Sequence, residues 1–152
     1  MAVFRTLQRL RVADLIDLQR LTEAWETYDL EWTSDGVAPV IGNGVLTGKK
    51  LTVGKTVYNY IDAAMGSTTT FGSGTYFFSL SQTAKSGQLP IGAMYMADFS
   101  AGTNKSGILA GFGSPSTDVI GVSSADTTIA ATVPHTWAVS DRLAGIVMFE
   151  VT

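Results

Sequence analysis

The chain has 152 residues, a net charge of −3, one histidine and no cysteine. A domain of this length buries close to ~70% of the surface its unfolded form exposes, so a core without covalent staples is expected, plus a short appendage. The composition excludes disulfides and thiolate metal sites and holds no run of about 20 apolar residues to cross a membrane as a helix. Its acidic balance speaks against nucleic-acid binding.

The character of the chain changes near Gly36: a short, charged, leucine-spaced segment gives way to Gly, Ser, Thr and alternating apolar residues. Residues 1–36 are therefore read as an attachment arm and helix, and 37–152 as a β body. Residues 1–11 hold three arginines and no acid. Residues 21–36 hold Glu23, Glu26, Asp29, Glu31 and Asp35 and no base. A basic arm leading into an acidic stem suits complementary partner surfaces, and equally suits the solvated dressing of an ordinary helix.

In chain order, residues 2–9 read as an extended arm. Phe4 and Leu7 have little to bury against nearby, so Phe4, Arg5, Leu7, Arg9 and Arg11 are the candidate contacts to another protein. No apolar core or small-residue cleavage site follows, so no signal peptide is expected. From Val12 to Tyr28 the residues are good helix formers, and Leu15, Leu18, Leu21, Trp25 and Tyr28 recur at three- and four-residue steps. Asp14 and Asp17 fall in the first turns, where the helix dipole favours negative charge. One or two heptads are too few for a self-standing coiled coil. This helix must pack on its own β body or be completed by copies of itself, with Leu18, Leu21, Trp25 and Tyr28 as the oligomer interface.

Beyond Gly36, Gly42-Asn43-Gly44 marks a turn. Two strands meet at Gly54, and the second places Val57, Asn59, Ile61 and Ala63 on one face and Tyr58, Tyr60 and Asp62 on the other. Residues 66–74 form a loop before the strand Thr75–Leu80. Further strands are expected at 91–99, 106–112, 117–123, 127–132 and 143–151, with no second long helix. This pattern predicts a mainly β protein, an antiparallel β-sandwich or jelly roll preceded by the arm and one short helix. Its aromatics, Tyr58, Tyr60, Tyr76, Phe77, Phe78, Tyr95, Phe99, Phe112, Trp137 and Phe149, are numerous for one core, which accounts for about two-thirds of them. Met94 and Met96 are expected to add adaptable apolar surface, and a homo-oligomer interface would absorb the excess.

The motifs that imitate chemistry do not hold. Gly54-Lys55-Thr56 ends like a phosphate-binding loop, but Lys49 stands where the first glycine belongs and a strand follows. Gly111-Phe112-Gly113-Ser114-Pro115-Ser116 starts like a dinucleotide fingerprint and carries proline inside. Both read as turns. His135, near Asp141, reads as a loop residue rather than a base, and Asp98, Asp118, Asp126 and Asp141 as turn formers. Asn104-Lys105-Ser106 matches a glycosylation acceptor, and Lys49, Lys50 and Lys55 read as edge protection. No catalytic, cofactor-binding or metal-binding residues are expected, and the chain is not read as an enzyme.

The runs Ile41-Gly42-Asn43-Gly44 to Gly48, Val53-Gly54-Lys55-Thr56-Val57, Gly66-Ser67-Thr68-Thr69-Thr70-Phe71-Gly72-Ser73-Gly74 into Phe78-Ser79-Leu80, and Val133-Pro134-His135-Thr136-Trp137 to Leu143 carry a resemblance. The body resembles the small β domains of virion proteins of tailed phages, especially those of actinobacterial hosts. Val12-Ala13-Asp14-Leu15 looks like a helix start common in phage structural proteins, with Val12 where threonine is usual. The resemblance implies a non-enzymatic homotrimer on the virion surface, assembled in the host cytoplasm. It would be a capsid decoration or head-fibre protein bound to the major capsid protein, or a tail-tip or tail-fibre protein bound to a tail protein and a host surface glycan. A carbohydrate-binding module is the reading from outside the virion.

Overall fold

A computed structural model describes residues 25–152. Nine strands follow in order: β1 (Glu26–Tyr28), β2 (Trp32–Ser34), β3 (Val45–Val53), β4 (Thr56–Ala64), β5 (Tyr76–Ser79), β6 (Ile91–Asp98), β7 (Thr103–Gly113), β8 (Ser116–Ser123) and β9 (Arg142–Glu150). They form one antiparallel sheet in the order β1-β3-β4-β9-β6-β7-β8-β5-β2. The expected mainly β, antiparallel body is what the chain forms. Its layers are the two halves of one curled sheet closed over a shared core.

The curl follows from the ends of the sheet. The two edge strands, β1 and β2, are consecutive in the chain, so residues 29–31 form a corner that draws the two edges together. Ser79 of β5 ties this corner: it receives the Tyr28 hydroxyl on its carbonyl at 3.1 Å, donates its own N–H to the Glu31 carbonyl at 3.0 Å, and accepts the Glu31 N–H on its Oγ at 2.8 Å. Both edge strands are three residues long, and edges that short leave little backbone open to stray pairing.

Alternation sets the inner face. On β4, Val57, Asn59, Ile61 and Ala63 point inward, as the sequence pattern requires, and all four are fully buried. Leu143, Val147 and Phe149 of β9, Met94 and Met96 of β6, Leu109 of β7, Val119 of β8 and Tyr76 and Phe78 of β5 complete the core. Trp32 lies against both β5 aromatics, edge-on to Tyr76 at 5.0 Å and stacked with Phe78 at 6.4 Å. The β3–β4 turn needs a backbone that L side chains avoid, and Gly54 supplies it at φ +60°.

Three expectations are corrected. The helix expected over 12–28 does not reach its end: Glu26–Tyr28 is strand β1, paired with Gly48–Lys50 of β3. An otherwise open β3 edge offers these residues backbone partners, and Gly48 leaves room for the Tyr28 ring, whose atoms would lie 2.8 Å from a Cβ there. Residues 12–24 of that helix lie outside the described residues, and no helix occurs among the described ones. The β body thus takes in residues 26–34, which the break in composition had assigned to the attachment segment. Residues 127–132 form isolated bridges rather than a strand, because Ile129 turns inward as a fully buried plug between Gly121 and Tyr76. Met94 and Met96 are core residues, 4% and 0% exposed, and contribute no surface side chain.

Candidate functional site

The opposite face of the sheet is unusual where β4, β9, β6 and β7 run side by side. Register places Tyr60, Ile146, Ala93 and Ile108 in one row across these four strands. The next row is Tyr58, Met148, Ile91 and Ala110, continued by Ile120 and Phe77; the other flanking row is Asp62, Ala144, Tyr95 and Ser106. An antiparallel sheet with one solvated face carries polar residues on it. Here Ile91, Tyr95, Ile108, Phe112, Ile146 and Met148 are each between 42% and 54% exposed. The rule reasserts itself on the flanks, with Thr47 and Lys49 on β3 and Asp118 on β8.

Ala93 and Ala144 are the small members of the two central strands, and over them the face dips into a shallow, open depression. Tyr60, Tyr95 and Ile146 stand at its walls and the backbone of Met94 and Gly145 forms its floor. Its lining is almost wholly apolar. One charged pair borders it: Arg142 Nε donates to Asp62 Oδ1 at 2.8 Å and Nη2 donates to Oδ2, while the Tyr60 hydroxyl donates to Asp62 Oδ2 at 3.3 Å. Asp62 holds the Arg142 guanidinium firmly protonated, and burial followed by the Asp62 charge pushes the Tyr60 phenol up. These charges are satisfied by one another. The depression can seat an apolar side chain and offers little to a polar ligand.

Of the residues singled out from the sequence, Phe4, Arg5, Leu7, Arg9, Arg11, Leu18 and Leu21 lie outside the described residues. Trp25 is 42% exposed just before β1. Tyr28 is not on a helical stripe with it: its hydroxyl closes the β1–β2 corner, and burial pushes its phenol well up. Tyr28 therefore serves the fold of its own chain.

Asp98 and Asp141 build turns, whereas Asp118, expected in a turn, lies within β8 with its side chain on the outer face. Asp141 is fully buried, its Oδ1 accepting the Phe99 N–H at 2.9 Å and its Oδ2 the Ala138 N–H at 2.8 Å. His135 Nε2 lies 3.4 Å from Asp141 Oδ2 and its ring packs on Trp137 at 4.4 Å. Trp137 in turn donates its ring N–H to the carbonyls of Ala130 and Val133. This cluster pins the connection from residue 130 to β9. Asp98 accepts the Ser100 hydroxyl at 2.7 Å and the Ala101 N–H at 2.9 Å, and these bonds, the hydroxyl's first, hold its carboxyl below the usual range. Among the described residues no three His, Cys, Asp or Glu side chains gather to hold a metal ion. Gly54-Lys55 and Ser114-Pro115 are the turns of two hairpins.

Comparison of the chain with protein-family models, curated proteins and solved structures finds no match. The face itself had a sequence signal that alternation arguments passed over. Strands β6 and β9, Ile91-Gly-Ala-Met-Tyr-Met-Ala and Leu143-Ala-Gly-Ile-Val-Met-Phe, are apolar at both parities. In an antiparallel sheet, two apolar parities mean that both faces ask to be covered.

Proposed function

We propose that this chain is a non-enzymatic structural protein of a tailed-phage virion, a homotrimer that displays its β body outward as a capsid decoration or head-fibre protein. The observation that carries the reading is the apolar outer face of β4, β9, β6 and β7, which suits burial against another protein surface. The resemblance of the body's turn-and-strand runs to phage virion domains supplies the setting. The arm residues Phe4, Arg5, Leu7, Arg9 and Arg11 are assigned the grip on the major capsid protein, and Trp25, exposed ahead of β1, is assigned to the contact between copies.

Mass spectrometry of purified particles, with heads and tails separated, tests the proposal. The chain should be found on heads at a fixed ratio to the major capsid protein. Recovery with tails alone would move it to a tail-fibre role, and absence from both would end the virion reading.

A further inference from the structure

We infer that the occupant of the outer face is a second copy of this chain, seated through Ile91, Ile108, Ile146 and Met148 against the depression over Ala93 and Ala144. The inference names the self-contact surface of the oligomer proposed above and rests on that reading only for the setting.

Area is the first argument. Six side chains about half exposed, at roughly 150–250 Å² for a large side chain, leave on the order of 500 Å² of apolar surface in water. Half-buried Tyr58, Tyr60, Ile120 and Val122 border them and add to that figure. The six alone reach the upper part of the ~300–600 Å² of the largest patch on a typical monomer, and with their neighbours the face is a substantial part of the ~800 Å² per partner of a stable interface.

Chemistry chooses the occupant. Interfaces between different, separately soluble proteins are about as polar as the rest of the surface, and their charges steer the encounter. The centre of this face carries no charge; at one border the Asp62–Arg142 pair and at the other, beside Ile91 and Met148, the Lys85–Glu150 pair are already spent internally, and Lys55 stands at that second border. A wholly apolar centre is the mark of copies that meet on assembly and stay together. Shape agrees: isoleucine and methionine knobs stand beside a hole lined by alanine and glycine on the same strands, so each copy offers knobs to one neighbour and a hole to another, the head-to-tail contact that a closed trimer needs.

The test uses the full chain. Wild type, the double variant Ile108→Lys/Ile146→Lys and the flank control Thr47→Lys are compared by sedimentation equilibrium and far-ultraviolet circular dichroism. Wild type and the control should be oligomers, and the double variant a folded monomer with a dissociation constant raised at least ~100-fold. Should the double variant misfold, Ile146→Cys decides, because the chain has no other cysteine. Its thiol should react with a maleimide slowly in the oligomer and at the free rate on dilution to monomer.

A monomeric wild type, a double variant that remains an oligomer, or a thiol that labels at the free rate within the oligomer would each overturn the inference. A protected thiol in a monomer would overturn it too, in favour of residues 1–24 of the same chain lying on the face. Particle incorporation is scored separately. A monomer found on heads removes this contact and leaves the virion reading standing, whereas an oligomer built through the face but absent from particles does the reverse.

Discussion

The two faces of β9 are built from one strand and obey different rules. Inward, Leu143, Val147 and Phe149 are at most 4% exposed and interlock with the other side of the curled sheet. Outward, Ile146 and Met148 are as apolar but remain nearly half in water. Among the described residues the inner face is finished and the outer face is not. Hydrophobicity alone therefore does not say where a core lies; the number of packed neighbours does.

The largest difference between the faces should appear on truncation. Phe78→Ala opens a hole between Trp32, Tyr76 and the inner strands and should lower the stability of the fold by about 3–5 kcal/mol. Ile146→Ala removes atoms that are already half solvated, and should cost the isolated fold less than about 1.5 kcal/mol while weakening self-association. Urea denaturation at several protein concentrations separates the two quantities. Equal losses in the monomer would erase the distinction between the faces.

A second contrast sits within the inner face. Asn59 is fully buried among apolar neighbours and exchanges two hydrogen bonds with Ser81: its Nδ2 donates to Ser81 Oγ at 2.8 Å and its Oδ1 accepts the Ser81 N–H at 2.8 Å. Asn59→Leu keeps the branched shape, adds some volume and strands the Ser81 N–H, so a loss of about 1–3 kcal/mol is expected from equilibrium unfolding. No loss would mean that water replaces the amide and that the site is less dry than its burial indicates.

Much of this was legible beforehand, for physical reasons. Alternation on β4 told inward from outward because one methylene-rich parity faced a polar or aromatic one. Glycine turns marked both hairpins because only glycine accepts their backbone without cost. Residues 25–28 misled because Leu18, Leu21, Trp25 and Tyr28 fit a helical spacing, while the deciding partner, the β3 edge at Gly48, lies twenty residues on. Pairing with a distant strand is not written in local periodicity. The outer face was half legible: the surplus of aromatics pointed to an interface, but Met94 and Met96 were assigned to it although their parity is inward. The aliphatic residues that form it are legible only in the double apolar parity of β6 and β9, of which the core can hold one.

Acid should act on the Asp98 turn and on Glu150 at the end of β9, and spare the centre of the outer face. Hydrogen bonds from Ser100 and Ala101 hold the Asp98 carboxyl below its usual range. Lys85, whose Nζ lies 2.6 Å from Glu150 Oε1, does the same for Glu150, with help from Gln88. Below an ordinary carboxylate value of about 4 the unfolded chain binds more protons than the folded one. The contribution of both groups is therefore complete above that value and is lost as pH falls from there through their lower folded values. Melting temperature should decline across this window, less steeply in Glu150→Gln, with the Lys85–Glu150 part shrinking in salt. The dissociation constant of the oligomer should hold steady there, since the centre of the face has no carboxylate. A parallel loss of association would place a titrating group inside the contact.

The smallest effect tests how complete the inner face is. Trp32 is 7% exposed and its ring N–H is buried with no hydrogen-bond partner among the described residues. A stranded donor costs about 1–3 kcal/mol of lost hydration. Trp32→Phe removes that donor and keeps an aromatic ring against Tyr76 and Phe78, but gives up the volume of the second ring and the contacts it makes. The two terms oppose each other, so the net change in unfolding free energy should fall within about 1 kcal/mol of zero. Trp32→Ala, which loses the ring and relieves the same donor, should cost about 3–5 kcal/mol. If Trp32→Phe costs as much as Trp32→Ala, the indole N–H has a partner in solution, and the inner face next to β2 is wetter and more polar than its packing implies.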